Sequence, residues 1–139
     1  MQLWEKYPDT KTFRWYNANP KHKHTGDCIL RAISVAAEIP WEEAAKLMYE
    51  VGVDTGLWLT NEATTEALKR LGWAKMKQPR KKNGKKYTGV EFCQKIAEPG
   101  KRYVAHIGGH HEVAIVDKKV WDIWDSTGGC IGNYWVKVE

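Results

Sequence analysis

The chain has 139 residues, a formal net charge of +5 and a hydrophobic content of 42%. This length and composition predict one globular domain over residues 1–139 and exclude a disordered chain. No apolar run approaches the roughly 20 residues of a membrane span, and the first residues lack the apolar stretch of a signal peptide. The three cysteines suggest no disulfide framework, so we expect a reducing, cytoplasmic setting.

The first half of the chain carries helical signals. Residues 1–24 are polar and aromatic and predict a short strand or extended arm followed by a loop. The apolar spacing then predicts three helices. These are residues 28–39, which Pro40 terminates, residues 41–51, with Gly52 as C-cap, and residues 61–71, with Thr60 as N-cap.

The second half begins with a lysine-rich segment, residues 75–86, which holds much of the net charge. Its Asn83-Gly84 turn predicts a solvated hairpin, and nucleic-acid contact is the alternative. Thr88 and Glu91 form a capping-box pattern that predicts a short helix to residue 97. Strand patterns follow at residues 103–107, 112–116, 119–124 and 131–138. Helices followed by consecutive strands predict an α+β fold, with N-terminal helices packed on a C-terminal antiparallel sheet.

Cys28 is the first candidate catalytic residue. It follows the turn signal Thr25-Gly26-Asp27 and begins an apolar helix. A thiol in the first turn of a helix lies in the field of unpaired backbone N–H groups, which stabilises the thiolate. The alternative is a small buried hydrophobe, the usual state of a free cysteine, and we expect Cys93 to be of that kind.

The strand pair around residues 117 and 118 is expected to place His111 near a carboxylate. With a two-residue loop, residue 111 lies opposite residue 124, and with one more residue it lies opposite Asp125 on the same face. Either register brings Asp125 to the sheet end of His111, where an acid can fix the imidazole tautomer. His110 is the alternative base, and Asp122 and Asp117 are the alternative acids.

Three segments carry a resemblance to a known family. They are Asn19-Pro20 with the run from Thr25 to Ile33, the strand His-Glu-Val-Ala-Ile-Val from residue 111, and Trp-Asp-Ser-Thr-Gly from residue 124. In this order they resemble small papain-like cysteine peptidases, in particular the bacteriocin-processing branch and a subgroup of uncharacterised phage and Firmicutes proteins. The resemblance implies a papain-like fold and a hydrolase that cleaves a peptide, isopeptide or other amide bond through a thioester, without a cofactor or metal.

The resemblance also implies a role for each site residue. Cys28 would attack the carbonyl carbon, His111 would accept the thiol proton and protonate the leaving group, and Asp125 would orient His111. The backbone N–H of Cys28 would donate to the oxyanion. The family places a second donor, a glutamine, where this chain has His22. We expect Asn19 to replace it, with Asn17 and His22 itself as alternatives.

Other functions stay open at this point. One is a catalytically weak or inactive papain-like binding module, whose 75–86 hairpin contacts an acidic partner or nucleic acid. Another is an acyltransferase or deamidase with the same three residues. A metal site is disfavoured because the chain has no helical HxxxH spacing and no CxxC spacing. That site would draw its ligands from His22, His24, Cys28, His110 and His111. The expected partner is a protein or peptide substrate rather than nucleic acid or a membrane.

Overall fold

A computed structural model describes residues 1–138 and contains helices α1 to α5 and strands β1 to β6. The helices are α1 (Leu3–Lys6), α2 (Cys28–Ala37), α3 (Trp41–Thr55), α4 (Asn61–Arg70) and α5 (Gly89–Lys95). The strands are β1 (Phe13–Trp15), β2 (Trp73–Met76), β3 (Arg102–Ile107), β4 (His111–Val116), β5 (Lys119–Asp122) and β6 (Ile131–Lys137). No helix in this part of the chain has the length and apolar character needed to cross a membrane.

The six strands form one mixed sheet in the order β1-β5-β4-β3-β6-β2. The α+β class is confirmed, and the C-terminal strands β3 to β6 pair antiparallel as expected, but two earlier strands extend the sheet and make it mixed. Strand β1 runs parallel to β5, and β2 pairs antiparallel with β6. Both edge strands come from earlier in the chain, and they have only three and four residues, too few to show a clear alternation of apolar side chains.

Local capping explains where two helices begin. The Thr60 hydroxyl accepts a hydrogen bond from the Ala63 N–H at the start of α4, and Thr88 and Glu91 form the expected capping box at α5. Helix α3 runs past its predicted end to Thr55, and Gly56, with a φ of 73°, is its C-cap. Gly52 stays helical and serves a close approach instead, because a Cβ there would lie 2.7 Å from the Trp58 ring.

The core occupies both faces of the sheet. Helices α2, α3 and α4 cover one face, where Ile33, Met48, Leu68, Val104 and Trp135 are buried. Helix α5 covers the other face, where Phe92, Cys93, Ile107, Ile115 and Ile131 are buried. Cys93 is therefore a core residue as expected, and burial raises the pKa of its thiol to about 12. Because α2 packs directly on β4, the fold brings the start of the Cys28 helix to the strand that carries His111.

Candidate active site

Cys28 is the first residue of α2 and is partly exposed. Asp27 occupies the N-cap position, but its side chain makes no capping hydrogen bond. Its carboxylate instead accepts from Arg31 Nε at 2.9 Å, from Trp41 Nε1 at 3.0 Å and from Asn19 Nδ2 at 3.1 Å. The first-turn amides therefore receive no side-chain acceptor from Asp27, and their partial positive charge lies beside the thiol.

His111 begins β4, and its imidazole contacts Asp122. His111 Nε2 lies 2.6 Å from Asp122 Oδ2. This corrects the expectation that Asp125 orients the imidazole. The Asp125 carboxylate instead accepts hydrogen bonds from the backbone N–H and the hydroxyl of Thr127, at 3.0 and 2.5 Å. Asp125 therefore fixes the loop that follows β5.

The register of the β4–β5 hairpin explains why Asp122 is the acid. Val116 pairs with Lys119 across a two-residue turn, Asp117-Lys118, and both turn residues have positive φ. Because side chains alternate along a strand, this register gives Asp122 the same parity as His111. Asp125, the acid expected from the longer loop, has the opposite parity to His111, and it lies beyond the end of β5.

Both oxygens of Asp122 are fully engaged. Oδ1 accepts from Arg31 Nη1 and from the Ile123 N–H, each at 2.8 Å, and Oδ2 accepts from His111 and from Ser126 Oγ at 2.7 Å. The residue is 1% exposed. Burial alone would raise the pKa of this carboxyl, but the hydrogen bonds from His111, Ser126 and Arg31 outweigh burial and lower it. Asp122 is therefore an ionised, acceptor-only partner of His111.

The electrostatics of His111 link it to Cys28 as well. Burial opposes the charged imidazole, but hydrogen bonding to Asp122 and to the Cys28 side chain raises the pKa of His111 to about 9. Since Nε2 is engaged by Asp122, Nδ1 is the ring nitrogen left for the Cys28 sulfur. The Trp124 ring lies beside the imidazole, with 5.2 Å between ring centroids. The structure thus brings together a thiol, an imidazole and a carboxylate.

Asn19 lies next to the site and is 4% exposed. Its side-chain amide donates to Asp27, the residue before Cys28, and its Oδ1 accepts from the Lys21 N–H at 2.9 Å. Asn17 supports the same loop, because its side chain accepts from the Asn19 N–H and donates to a backbone carbonyl. These contacts position the loop before α2, and the oxyanion role of Asn19 stays a prediction.

A groove of about 340 Å³ lies beside His111. The turn between β3 and β4 forms one side of it, and the loop after β5 forms the other, with Trp124, Asp125, Ser126, Gly128 and Gly129. Gly129 approaches the opposite side closely, since a Cβ there would lie 3.2 Å from the Gly108 nitrogen. Two larger clefts, of about 680 and 560 Å³, include none of the three reactive side chains. We therefore take the smaller groove as the approach to the site.

Sequence reasoning missed the contribution of Arg31. It is buried within an apolar helix and forms ion pairs with both Asp27 and Asp122. A cation three residues after Cys28, on the same side of the helix, was the available signal, because buried arginines require acidic partners. Within residues 1–138, no three His, Cys, Asp or Glu side chains lie together in a group that could hold a metal ion.

No protein-family model matches the chain, and neither a curated protein nor a solved structure matches it. The papain-like resemblance therefore stays a prediction. The case for a function rests on the arrangement of Cys28, His111 and Asp122.

Proposed function

We propose that the protein is a cysteine hydrolase that cleaves an amide bond in a protein or peptide substrate. Cys28 is the nucleophile, His111 the general base and acid, and Asp122 the residue that orients His111. The observation that carries the proposal is the His111–Asp122 contact at 2.6 Å together with the electrostatic interaction between His111 and the Cys28 side chain. Each member has the partner that its role in nucleophilic catalysis requires.

The reaction would proceed through an acyl-enzyme. His111 takes the thiol proton, and the Cys28 sulfur attacks the substrate carbonyl carbon to form a tetrahedral oxyanion. The backbone N–H groups at the start of α2 are the available donors to that oxygen. Protonation of the leaving nitrogen by His111 breaks the amide bond and leaves a thioester. Water, deprotonated by His111, then attacks the thioester and releases the acid and the free thiol.

The electrostatics support this assignment. A His111 pKa of about 9 favours the imidazolium at neutral pH, and an imidazolium next to a cysteine stabilises the thiolate. Asp122 is ionised and buried, so it can hold the imidazole in one orientation throughout the cycle. The thiols of the chain are free, and a reducing compartment such as the cytoplasm suits a catalytic thiol.

Thiol alkylation tests the nucleophile without requiring the natural substrate. We expect iodoacetamide to modify Cys28 faster than Cys130 at neutral pH, although Cys130 is the more exposed of the two. Replacement of His111 by Gln should remove the difference, and Cys130→Ser is the matched control that should leave Cys28 labelling unchanged. Equal labelling of Cys28 and Cys130 in the unmodified chain would contradict the proposal.

Product analysis distinguishes hydrolysis from the two related reactions. Incubation with a peptide library and mass spectrometry of the products should reveal water added across an amide bond. An acyltransferase would instead join the acyl group to an added amine, and a deamidase would convert a glutamine side chain to glutamate with the chain intact. Both reactions use the same three residues. Either product would therefore support the proposed catalytic residues but contradict the proposal that the reaction is hydrolysis.

A further inference from the structure

Residues 75–86, here called the basic segment, concentrate the positive charge of the chain. The segment contains six Lys and one Arg and no acidic residue. Because the whole chain carries +5 and the segment +7, the remaining residues carry −2. Six of the seven cationic side chains are exposed, namely Lys75, Lys77, Arg80, Lys82, Lys85 and Lys86. The positive electrostatic field therefore comes from this segment and not from the protein as a whole.

The basic segment ends in an ordered hairpin, residues 80–86. Arg80 pairs with Lys86, and the Lys81 N–H donates to the Lys85 carbonyl at 2.9 Å. Gly84 closes the turn with a φ of 83°, a backbone conformation that favours glycine. The Lys81 ammonium forms an ion pair with Glu91 and ties the hairpin to α5. The exposed cations are thus presented from a fixed backbone, which lowers the entropic cost of binding.

The base of this hairpin is bonded to the loop that lines the groove beside His111. The Gln78 side chain donates to the Ile131 carbonyl at 3.0 Å, and the Ile131 N–H donates to the Tyr87 carbonyl at 2.7 Å. The Gly89 N–H donates to Gly129, a residue of the groove itself, at 2.9 Å. One loop therefore connects the basic segment to the candidate active site.

Protection of a sheet edge explains only part of this charge. Lysines on an exposed edge strand prevent pairing with other chains, and Lys75 and Lys77 lie in or next to the edge strand β2. Lys82, Lys85 and Lys86 lie beyond that strand, in the hairpin. Their positions have no role in edge protection.

We infer that the basic segment binds an acidic stretch of the protein substrate and directs the neighbouring amide bond into the groove beside His111. This inference rests on the proposed function. A peptide fits better than nucleic acid for two reasons. The segment contains no aromatic side chain on which bases can stack. The adjoining thiol also acts on carbonyl carbon, the electrophile of a peptide rather than of a phosphodiester.

Binding to a designed peptide tests the inference without requiring turnover. The probe is a fluorescent peptide in which a run of glutamates precedes an apolar stretch, and its matched control has glutamine in place of each glutamate. Anisotropy should show binding of the acidic peptide alone, weaker as ionic strength rises. The variant Lys82→Gln/Lys85→Gln/Lys86→Gln should weaken binding about tenfold. The matched variant Lys11→Gln/Lys46→Gln/Lys69→Gln loses the same charge from exposed positions elsewhere and should bind nearly as well as the unmodified chain.

A photo-crosslinker in the apolar stretch of the same peptide locates its path. We expect adducts within residues 107–111 and 124–129, which border the groove. Equal binding by the two triple variants, adducts confined to other surfaces, or tighter binding of single-stranded DNA or RNA than of the acidic peptide would each overturn the inference. Failure of the proposed function would look different, because Cys28 would then be unreactive while peptide binding and its adducts were unaffected.

Discussion

Arg31 Nη1 donates to Asp122 Oδ1 over 2.8 Å, and this contact joins the helix of Cys28 to the strand of Asp122. Arg31 also donates to Asp27, the residue before Cys28, at 2.9 Å. A single buried guanidinium thus forms ion pairs with two buried carboxylates. Because the planar guanidinium has several donors in fixed directions, it can hold both acids at once, which a lysine ammonium does less well.

We predict that Arg31→Met strongly destabilises the fold. The substitution leaves the Asp27 carboxylate buried without its cation and Asp122 with His111 alone, and breaking a buried ion pair costs about 3–5 kcal/mol. Urea unfolding followed by tryptophan fluorescence measures the loss. Arg70→Met is the matched control, because Arg70 also bridges two acids, Asp54 and Glu66, but does so in solvent, and its cost should be much smaller. Similar losses in the two variants would contradict the central role of Arg31.

We predict that Asp122→Asn reduces the rate of Cys28 alkylation and of substrate turnover far more than Asp125→Asn. The amide cannot serve as an anionic acceptor for His111, and loss of the orienting carboxylate in a related triad lowers kcat by roughly 10⁴-fold. Asp125→Asn keeps an amide oxygen that can accept from Thr127, and it leaves the His111 contact in place. Rates measured on both variants at the same pH provide the comparison. A larger loss with Asp125→Asn would restore Asp125 as the orienting acid.

The comparison of these two acids shows what the sequence could and could not predict. Local signals predicted the ends of several elements, because Thr60 and Thr88 cap helices through contacts within one turn. They also placed His111 at the start of a strand and brought acidic residues to its end of the sheet. The choice between Asp122 and Asp125 depends on the register of the β4–β5 hairpin. A shift of one residue reverses which acid shares a face with His111, and the sequence allowed both loop lengths.

Long-range pairing was the second limit. Strand β1 pairs with β5 across more than a hundred residues, with Phe13 opposite Val120. No local pattern in a three-residue strand specifies that partner, because the pairing is selected by burial on the finished sheet. The ion pair between Arg31 and Asp122 depends on the same assembly, so its two members were visible in the sequence while their contact was not.

We predict that the contribution of His111 to stability falls as pH rises. Its pKa is raised from the ordinary value of 6.5 to about 9 in the folded protein. The folded state therefore binds this proton more tightly than the unfolded chain does. The stabilisation is fully present below about pH 6.5 and is lost as pH rises through about 9. Urea unfolding at several pH values, compared with His111→Gln, isolates this group, because the variant should lose that part of the pH dependence. Parallel profiles for the two proteins would show that His111 titrates alike in both states.

We predict that Gly89→Ala destabilises the protein, whereas Gly128→Ala has little effect on stability. A Cβ at Gly89 would lie 2.9 Å from both the Cα and the carbonyl oxygen of Thr127, so backbone must move to admit it. Overpacking of this kind costs about 1–3 kcal/mol. Gly128 follows Thr127 in the loop after β5. Nothing lies within 4 Å of a Cβ at Gly128, so alanine fits there without a clash. Thermal unfolding of the two variants gives the comparison.

The Gly89 variant should also alter the groove, because Thr127 belongs to the loop that positions Ser126 against Asp122. Slower alkylation of Cys28 should therefore accompany the lower Tm of this variant. An unchanged Tm for Gly89→Ala would mean that the loop moves freely, and the groove would then not be a preformed channel to His111.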